Sequence, residues 1–194
     1  MTVAQLLAAL GSADPTPGGG TAAAIAGAMG ASLLLMVTGL SKSRNNLDDE
    51  KAALAKARAA LEPVVARLMD LDADTDAFDE VMAAYRLAKA SDEDKAARSR
   101  AIQAALRGAT EIPLETLRAA VDAISHARVV ADYGNQSAAS DVGVAIGLLK
   151  AAADGAAANV RINLAGLKDE AFKTATDAET TRLLLAANAG QDAR

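Results

Sequence analysis

The sequence contains no cysteine, no tryptophan and a single histidine, His126. The absence of cysteine excludes disulfides, thiolate zinc sites and a cysteine nucleophile. One histidine is also too few for zinc hydrolases that lack cysteine ligands, which usually need two or three, and for di-iron bundles, which need a pair. We therefore expect no metal site, and we interpret His126 as an ordinary surface or packing residue.

Strand-forming residues are scarce. Aromatic residues make up 2% of the 194 residues, and there are four prolines. Alanine, the strongest helix former, is by contrast abundant. This composition predicts one all-α domain over residues 1–194, a bundle of about six helices that are long and partly kinked.

The chain also lacks a basic excess, because its formal net charge is −5. A protein that follows a nucleic-acid backbone needs positive charge, so we expect no nucleic-acid partner. The segment Gly20–Leu40 carries no charge. It is rich in small residues and has neither an aromatic belt nor a preceding basic stretch, which favours a buried helix over a membrane span. We expect a second subunit to cover one face of this helix, which predicts a dimer with no membrane contact.

Hydrophobic spacing and helix-capping residues divide the chain. Leucines seven residues apart predict one long helix over 47–85, kinked by Pro63 near 59–63. Ser91 followed by acidic residues predicts a helix start, and Pro113 predicts the first turn of the next helix. The predicted helices span 2–10, 20–40, 47–85, 91–107, 113–132, 137–163 and 168–189.

Three consecutive glycines precede the uncharged helix. Gly18, Gly19 and Gly20 would place backbone N–H groups at its N-terminus, where a helix attracts anions, and would let a ligand approach the backbone. A tight turn is the alternative interpretation.

Acidic and amide side chains form further candidate clusters. The heptad register places Asp72 and Asp74 beside an apolar seam, where partial desolvation would suit a general acid or base; a solvated helix face is the alternative. Asn135, Ser140 and Asp141 lie at another predicted helix start, where they could read the edge of a heterocycle or simply cap the helix. The other polar candidates are Asn159 and Asn163 on one helix face, and Lys42 and Arg44 after the uncharged helix.

The order of these segments resembles one family. PTPGGGTAAAIAGAMGA, DADTDAFDEVM, SDEDKAARSRAIQAAL with IPL, GNQSAASDVGVA and NVRINL together look like the cyclodeaminase/cyclohydrolase family of folate enzymes, over about residues 5–175. The resemblance implies an all-helical homodimer or higher oligomer with the folate site at or near the subunit interface, and the lack of cysteine fits a cytoplasmic protein. It implies no permanently bound cofactor, and a tetrahydrofolate derivative as substrate. One departure is the stretch SKSRNN, where the family usually has glycine and two basic residues.

The resemblance also implies roles for the candidate residues. Asp74 or Asp141 would act as acid/base and stabilise the substrate cation, near Asp72. Asn135, Ser140, Asn159 and Asn163 would orient the pterin, and Gly18, Gly19 and Gly20 would approach the ligand. Lys42 and Arg44 would bind the glutamate tail. The activity expected first is hydrolysis of 5,10-methenyltetrahydrofolate. The alternatives are 5-formiminotetrahydrofolate cyclodeaminase and a non-catalytic helical dimer or folate-binding protein.

Overall fold

The computed structural model describes residues 1–40, 47–69 and 72–189, with the backbone alone for 72–75. Over these ranges the chain forms seven α-helices and one short 3-10 helix, with no strand, so the predicted all-α class is confirmed. The α-helices are α1 (Val3–Leu10), α2 (Gly19–Gly39), α3 (Asp48–Leu68), α4 (Asp72–Arg86), α5 (Asp92–Tyr133), α6 (Ala139–Ala165) and α7 (Glu170–Ala189), and the 3-10 helix is Gln136–Ala138.

Two helix starts follow directly from local sequence. Thr2 and Gln5 form a reciprocal capping box at α1, and Ser91 and Asp94 form another at α5. Each pair satisfies backbone N–H groups that a helix start leaves without partners. The Ser91 bonds also hold the pKa of the Asp94 carboxyl below its ordinary value, because they favour the charged form.

Helices α2 and α6 run antiparallel at the centre of the domain, and glycine allows their close approach. A Cβ on Gly30 would lie 2.7 Å from the Ala145 carbonyl oxygen. Likewise, a Cβ on Gly155 would lie 3.1 Å from Ala23 Cβ. Small residues on the uncharged helix thus let another backbone come close, and that backbone belongs to the same chain.

Helix α5 contradicts the prediction of separate helices over 91–107 and 113–132, because it continues through Pro113. Proline has no N–H, so it leaves the carbonyl four residues earlier, that of Ala109, without its helical donor. Asn163 Nδ2 of α6 donates to the Ala109 oxygen at 2.8 Å. A residue 54 positions away thus supplies the missing bond.

The single long helix predicted over 47–85 is also wrong. Helix α3 ends at Leu68, with Met69 as its C-cap, and α4 begins at Asp72. Aspartate is unfavourable inside a helix and favourable in its first turn, which explains why the acidic segment begins a helix. Pro63 lies inside α3. The heptad spacing holds within α3, where Leu54, Leu61 and Leu68 are buried, but not beyond the break, where Ala84 is buried and the predicted seam residue Tyr85 is 47% exposed.

Among the residues that the structure describes, α2 and α1 each keep an apolar surface uncovered. Helix α2 is long and apolar enough to span a membrane, yet half of its most apolar window is buried in this domain, as in a core helix. On its other face Met29 is 49% exposed and Met36 is 43% exposed. Helix α1 has no buried residue, and its Leu7 is exposed.

Candidate functional site

The first group of predicted site residues surrounds the start of α6, and we call it the Asp141 group: Asn135, Ser140 and Asp141. Asn135 Oδ1 accepts a hydrogen bond from the Ser137 N–H at 2.9 Å, so this side chain caps the 3-10 helix. Ser140 is exposed. A Cβ on Gly134 would lie 2.8 Å from Val37 Cγ1, which places this group beside the end of α2.

Asp141 lies in the first turn of α6 and is partly buried. In the part of the chain that the structure describes, its carboxylate has no hydrogen-bond or ion-pair partner. A helix N-terminus is a favourable place for an acidic side chain, and the Asp141 oxygens stay available to a ligand. Such a group can accept a proton or stabilise a nearby cation.

The second group lies at the other end of α2, and we call it the Gly18 group: Gly18, Gly19, Gly20, Asn159 and Asn163. Gly18 is the extended N-cap residue of α2, so the glycines open the helix as predicted. A Cβ on Gly19 would meet nothing within 4 Å. The backbone of this turn is therefore open to solvent on the side where a Cβ would stand, and the first N–H groups of a helix have no partner within the helix.

The two asparagines of the Gly18 group already make hydrogen bonds. Asn159 Nδ2 donates to the Gly155 oxygen of its own helix at 3.1 Å, while Asn163 bonds Ala109 as described above. Both side chains are partly buried. Asn163 thus has a structural role in joining α6 to α5, whatever it does for a ligand.

The remaining predicted residues are described less fully. Asp72 and Asp74 belong to the first turn of α4, with their side chains outside the described residues. A turn of five residues, 87–91, joins α4 to α5, and residues of both helices, among them Glu80 and Ala105, border one groove, as in an antiparallel helix pair. Helix α4 therefore runs in the same direction as α6, from near the level of Leu68, which packs against Gly27, toward the Gly18 end of the domain. Lys42 and Arg44 lie outside the described residues.

The structure therefore separates the predicted site into two groups. Asp141 and Asn159 are 18 residues apart on α6, which corresponds to about 27 Å along the helix. Because α2 and α6 are antiparallel, the Gly18 loop lies at the Asn159 end and the end of α2 lies at the Asp141 end. Sequence spacing could not show this separation, since it depends on which way the two helices pack.

An exposed small-residue surface connects the two groups, and the sequence patterns did not define it. On α2 it includes Ala22, Met29 and Met36, seven residues apart, which places them on one face. On α6 the exposed residues include Ser140, Gly143, Val144, Gly147, Ala151, Ala158 and Ile162. We refer to these residues together as the α2/α6 stripe.

The helical architecture defines the class of this domain. A solved structure, formiminotetrahydrofolate cyclodeaminase from Thermotoga maritima, superposes with a TM-score of 0.87 at 26% identity. The match covers 100% of this chain and 93% of the other. The domain thus has the all-helical cyclodeaminase architecture.

Sequence similarity then identifies the family. The chain belongs to the formiminotransferase-cyclodeaminase family, whose model matches residues 2–182, which confirms the predicted resemblance. It is 42% identical to methenyltetrahydrofolate cyclohydrolase of Methylorubrum extorquens over 97% of this chain and 91% of that one. It is 36% identical to formimidoyltransferase-cyclodeaminase of Gallus gallus, covering 94% of this chain and 34% of that longer protein.

Proposed function

We propose that this protein hydrolyses 5,10-methenyltetrahydrofolate to 10-formyltetrahydrofolate in the cytoplasm. The observation that carries this proposal is the 42% identity to a cyclohydrolase along nearly the full length of both chains. The second candidate is cyclisation of 5-formiminotetrahydrofolate with release of ammonia, favoured by the likeness to the Thermotoga maritima cyclodeaminase. A non-catalytic helical dimer, by contrast, would turn over neither compound.

The two reactions need similar chemistry from the protein. In the hydrolysis, water adds to the amidinium carbon between N5 and N10 and loses a proton to a general base. The resulting tetrahedral carbon expels N5, which takes up a proton while the hydroxyl loses one to become the formyl carbonyl. One proton is released overall, because the substrate is a cation and the product formyl group is neutral. A carboxylate suits both the proton transfer and the stabilisation of the cation.

Asp141 is the described residue that fits this role. Its carboxylate is partly buried and has no partner among the described residues. The amide and hydroxyl groups of Asn135 and Ser140 are near it in sequence and could orient a pterin ring. Asp74 remains the second candidate for the acid/base. Gly18, Gly19, Gly20, Asp72, Asn159 and Asn163 would contribute from the opposite end of α6, and Lys42 and Arg44 would bind the glutamate tail.

A two-fold dimer would bring the two groups together. The stripes of two protomers would pack against each other with their α6 helices antiparallel. A residue near the start of α6 in one protomer then lies opposite a residue near the end of α6 in the other. The Asp141 group of one protomer would then face the Gly18 group of its partner. In this proposal each folate site is built from residues of both protomers, so neither protomer forms it alone.

Register and charge support the pairing. The stripe is centred on Met29 in α2 and on Ala151 in α6, which lie at about the same level in the antiparallel register set by Gly27 against Ala152. Lys150 and Asp154 flank that centre, and neither has an ion-pair partner among the described residues. An antiparallel copy would put the two charges close to each other.

The activity is tested by following the methenyltetrahydrofolate chromophore. We expect the purified protein to accelerate its loss over buffer alone, and Asp141→Asn to reduce turnover at least about 100-fold, the usual contribution of a general acid–base group. Asp49→Asn is the matched control, because it makes the same charge change at an exposed position of α3. Chromophore formation and ammonia release from 5-formiminotetrahydrofolate would instead establish the cyclodeaminase. Full turnover by folded Asp141→Asn would remove this residue from the mechanism.

The composite site is tested by mixing two inactive variants. Asp141→Asn and Asp74→Asn are each expected to be inactive, while a mixture allowed to exchange subunits should regain about a quarter of wild-type activity. Half of its molecules are then mixed dimers, each with one intact site of two. If both residues serve one protomer's own site, no activity returns.

The dimer itself is tested by sedimentation velocity. Met29→Asp places a charge at the centre of the stripe, so we expect it to dissociate the dimer into monomers. Leu185→Asp is the control, since Leu185 is 67% exposed on α7, away from the stripe. Dimers that persist in Met29→Asp would place the interface elsewhere.

A further inference from the structure

A second concave surface lies at the end of α4. A cleft of about 420 Å³ is enclosed by the last turn of α4, the first turns of α5 and the turn that follows α6. Lys89, Lys95, Arg98 and Lys168 line it, and no aspartate or glutamate does so among the residues that the structure describes. The cleft is therefore a concentration of positive charge in a protein whose net charge is −5.

Three of these four cations have no acidic partner among the described residues. Lys95 pairs with Asp92 at 2.8 Å, as do many cations of this chain with neighbouring carboxylates. Lys89, Arg98 and Lys168 have no carboxylate within ion-pairing distance in the described part of the chain. Like charges that face one cleft repel each other, and a bound anion would relieve that repulsion.

The cleft walls are held in place before any ligand arrives. The Arg98 guanidinium donates to the Tyr85 carbonyl oxygen at 3.0 Å and 3.2 Å and lies 5.6 Å from the centre of the Tyr85 ring. Lys168 Nζ donates to Ser99 Oγ at 3.2 Å. Gln103 connects the two sides, because its side chain bonds both the Gly166 oxygen and the Lys168 N–H. Little ordering is thus required on binding.

We propose that this cleft binds a small molecule that carries at least two negative charges, in the form of phosphate or carboxylate groups. Three cations on opposite walls match a ligand whose charges are separated by a few bonds. A single monovalent anion would leave part of this charge without a partner. The proposal does not depend on the folate reaction, and no catalytic role is assigned to these residues.

The test is calorimetric titration of the wild-type protein with two probes, inorganic pyrophosphate and citrate, at low salt and at about 0.15 M salt. The test variant is the double substitution Lys89→Gln with Lys168→Gln. The matched control is Lys56→Gln with Arg100→Gln, which removes the same charge from exposed positions that do not line the cleft. Neither pair belongs to the candidate folate site, so turnover should remain unchanged in both.

We expect saturable binding of at least one probe, weakened about tenfold or more in the cleft variant and less than about twofold in the control. The tighter probe identifies whether phosphate or carboxylate is preferred. The proposal fails if neither probe binds by millimolar concentrations, or if both double variants weaken binding equally, which would indicate a general field effect. Acetate is the monovalent comparison. If acetate binds as tightly as citrate, the proposal of a ligand with at least two negative charges is also overturned.

Discussion

The bond between Asn163 and the Ala109 carbonyl offers a sharp test of how α5 tolerates Pro113. Asn163→Ala would leave the Ala109 oxygen without a donor, and Ala109 is 9% exposed, so water has little access to it. An unsatisfied buried carbonyl costs about 1–3 kcal/mol. Alanine regains about 0.6 kcal/mol in helix propensity. We therefore expect a net loss of about 1–2 kcal/mol in the free energy of unfolding.

A double-mutant cycle isolates the cause. Pro113→Ala restores the backbone N–H that can bond the Ala109 oxygen within the helix. In that background Asn163→Ala should cost little, so the two substitutions should couple by about 1 kcal/mol. Asn159→Ala is the control, because its side chain bonds Gly155, whose carbonyl has a helical donor of its own.

The assay is urea unfolding followed by far-ultraviolet circular dichroism. We expect Asn163→Ala to lower the urea midpoint without changing the slope of the free energy of unfolding against urea. Asn159→Ala should change the free energy of unfolding by less than about 0.5 kcal/mol. Additive losses for Asn163→Ala and Pro113→Ala would refute the reasoning, since the two residues would then not serve the same carbonyl. Turnover measured on the same variants separates this structural role from any contact with folate.

Two further predictions concern packing and pH. Gly30→Ala should destabilise the fold by about 2 kcal/mol in urea unfolding, because its Cβ would meet the Ala145 carbonyl. Gly108→Ala has open space around it and should stabilise the fold by about 0.5–1 kcal/mol. Equal effects of the two substitutions would contradict the close contact of α2 and α6. Arg118 bonds both oxygens of Glu179 at 2.8 Å and holds the pKa of that carboxyl below its ordinary value of 4.5. The resulting stabilisation, about 1 kcal/mol, is present above pH 4.5 and is lost as the pH falls through the lowered pKa. Glu179→Gln should therefore be less stable than wild type at pH 7, with the difference shrinking toward pH 3; a constant difference would exclude this linkage.

The sequence by itself determined the features that depend on neighbouring residues. Ser91 and Asp94 define the start of α5, and Gly134 defines its end, because a capping side chain or a glycine acts on backbone groups only a few positions away. The alanine-rich composition predicted the helical class, and the ordered motifs identified the family.

Tertiary structure decided what depends on distant contacts. Local rules end a helix before Pro113, and only the amide of Asn163, placed there by α6, explains why α5 continues. The antiparallel packing of α2 on α6 put Gly18 and Asp141 at opposite ends of the domain. It also left one apolar face of α2 exposed. Helix signals in a sequence report local backbone preferences, whereas the direction and contacts of packed helices are set by side chains that meet only in the folded chain.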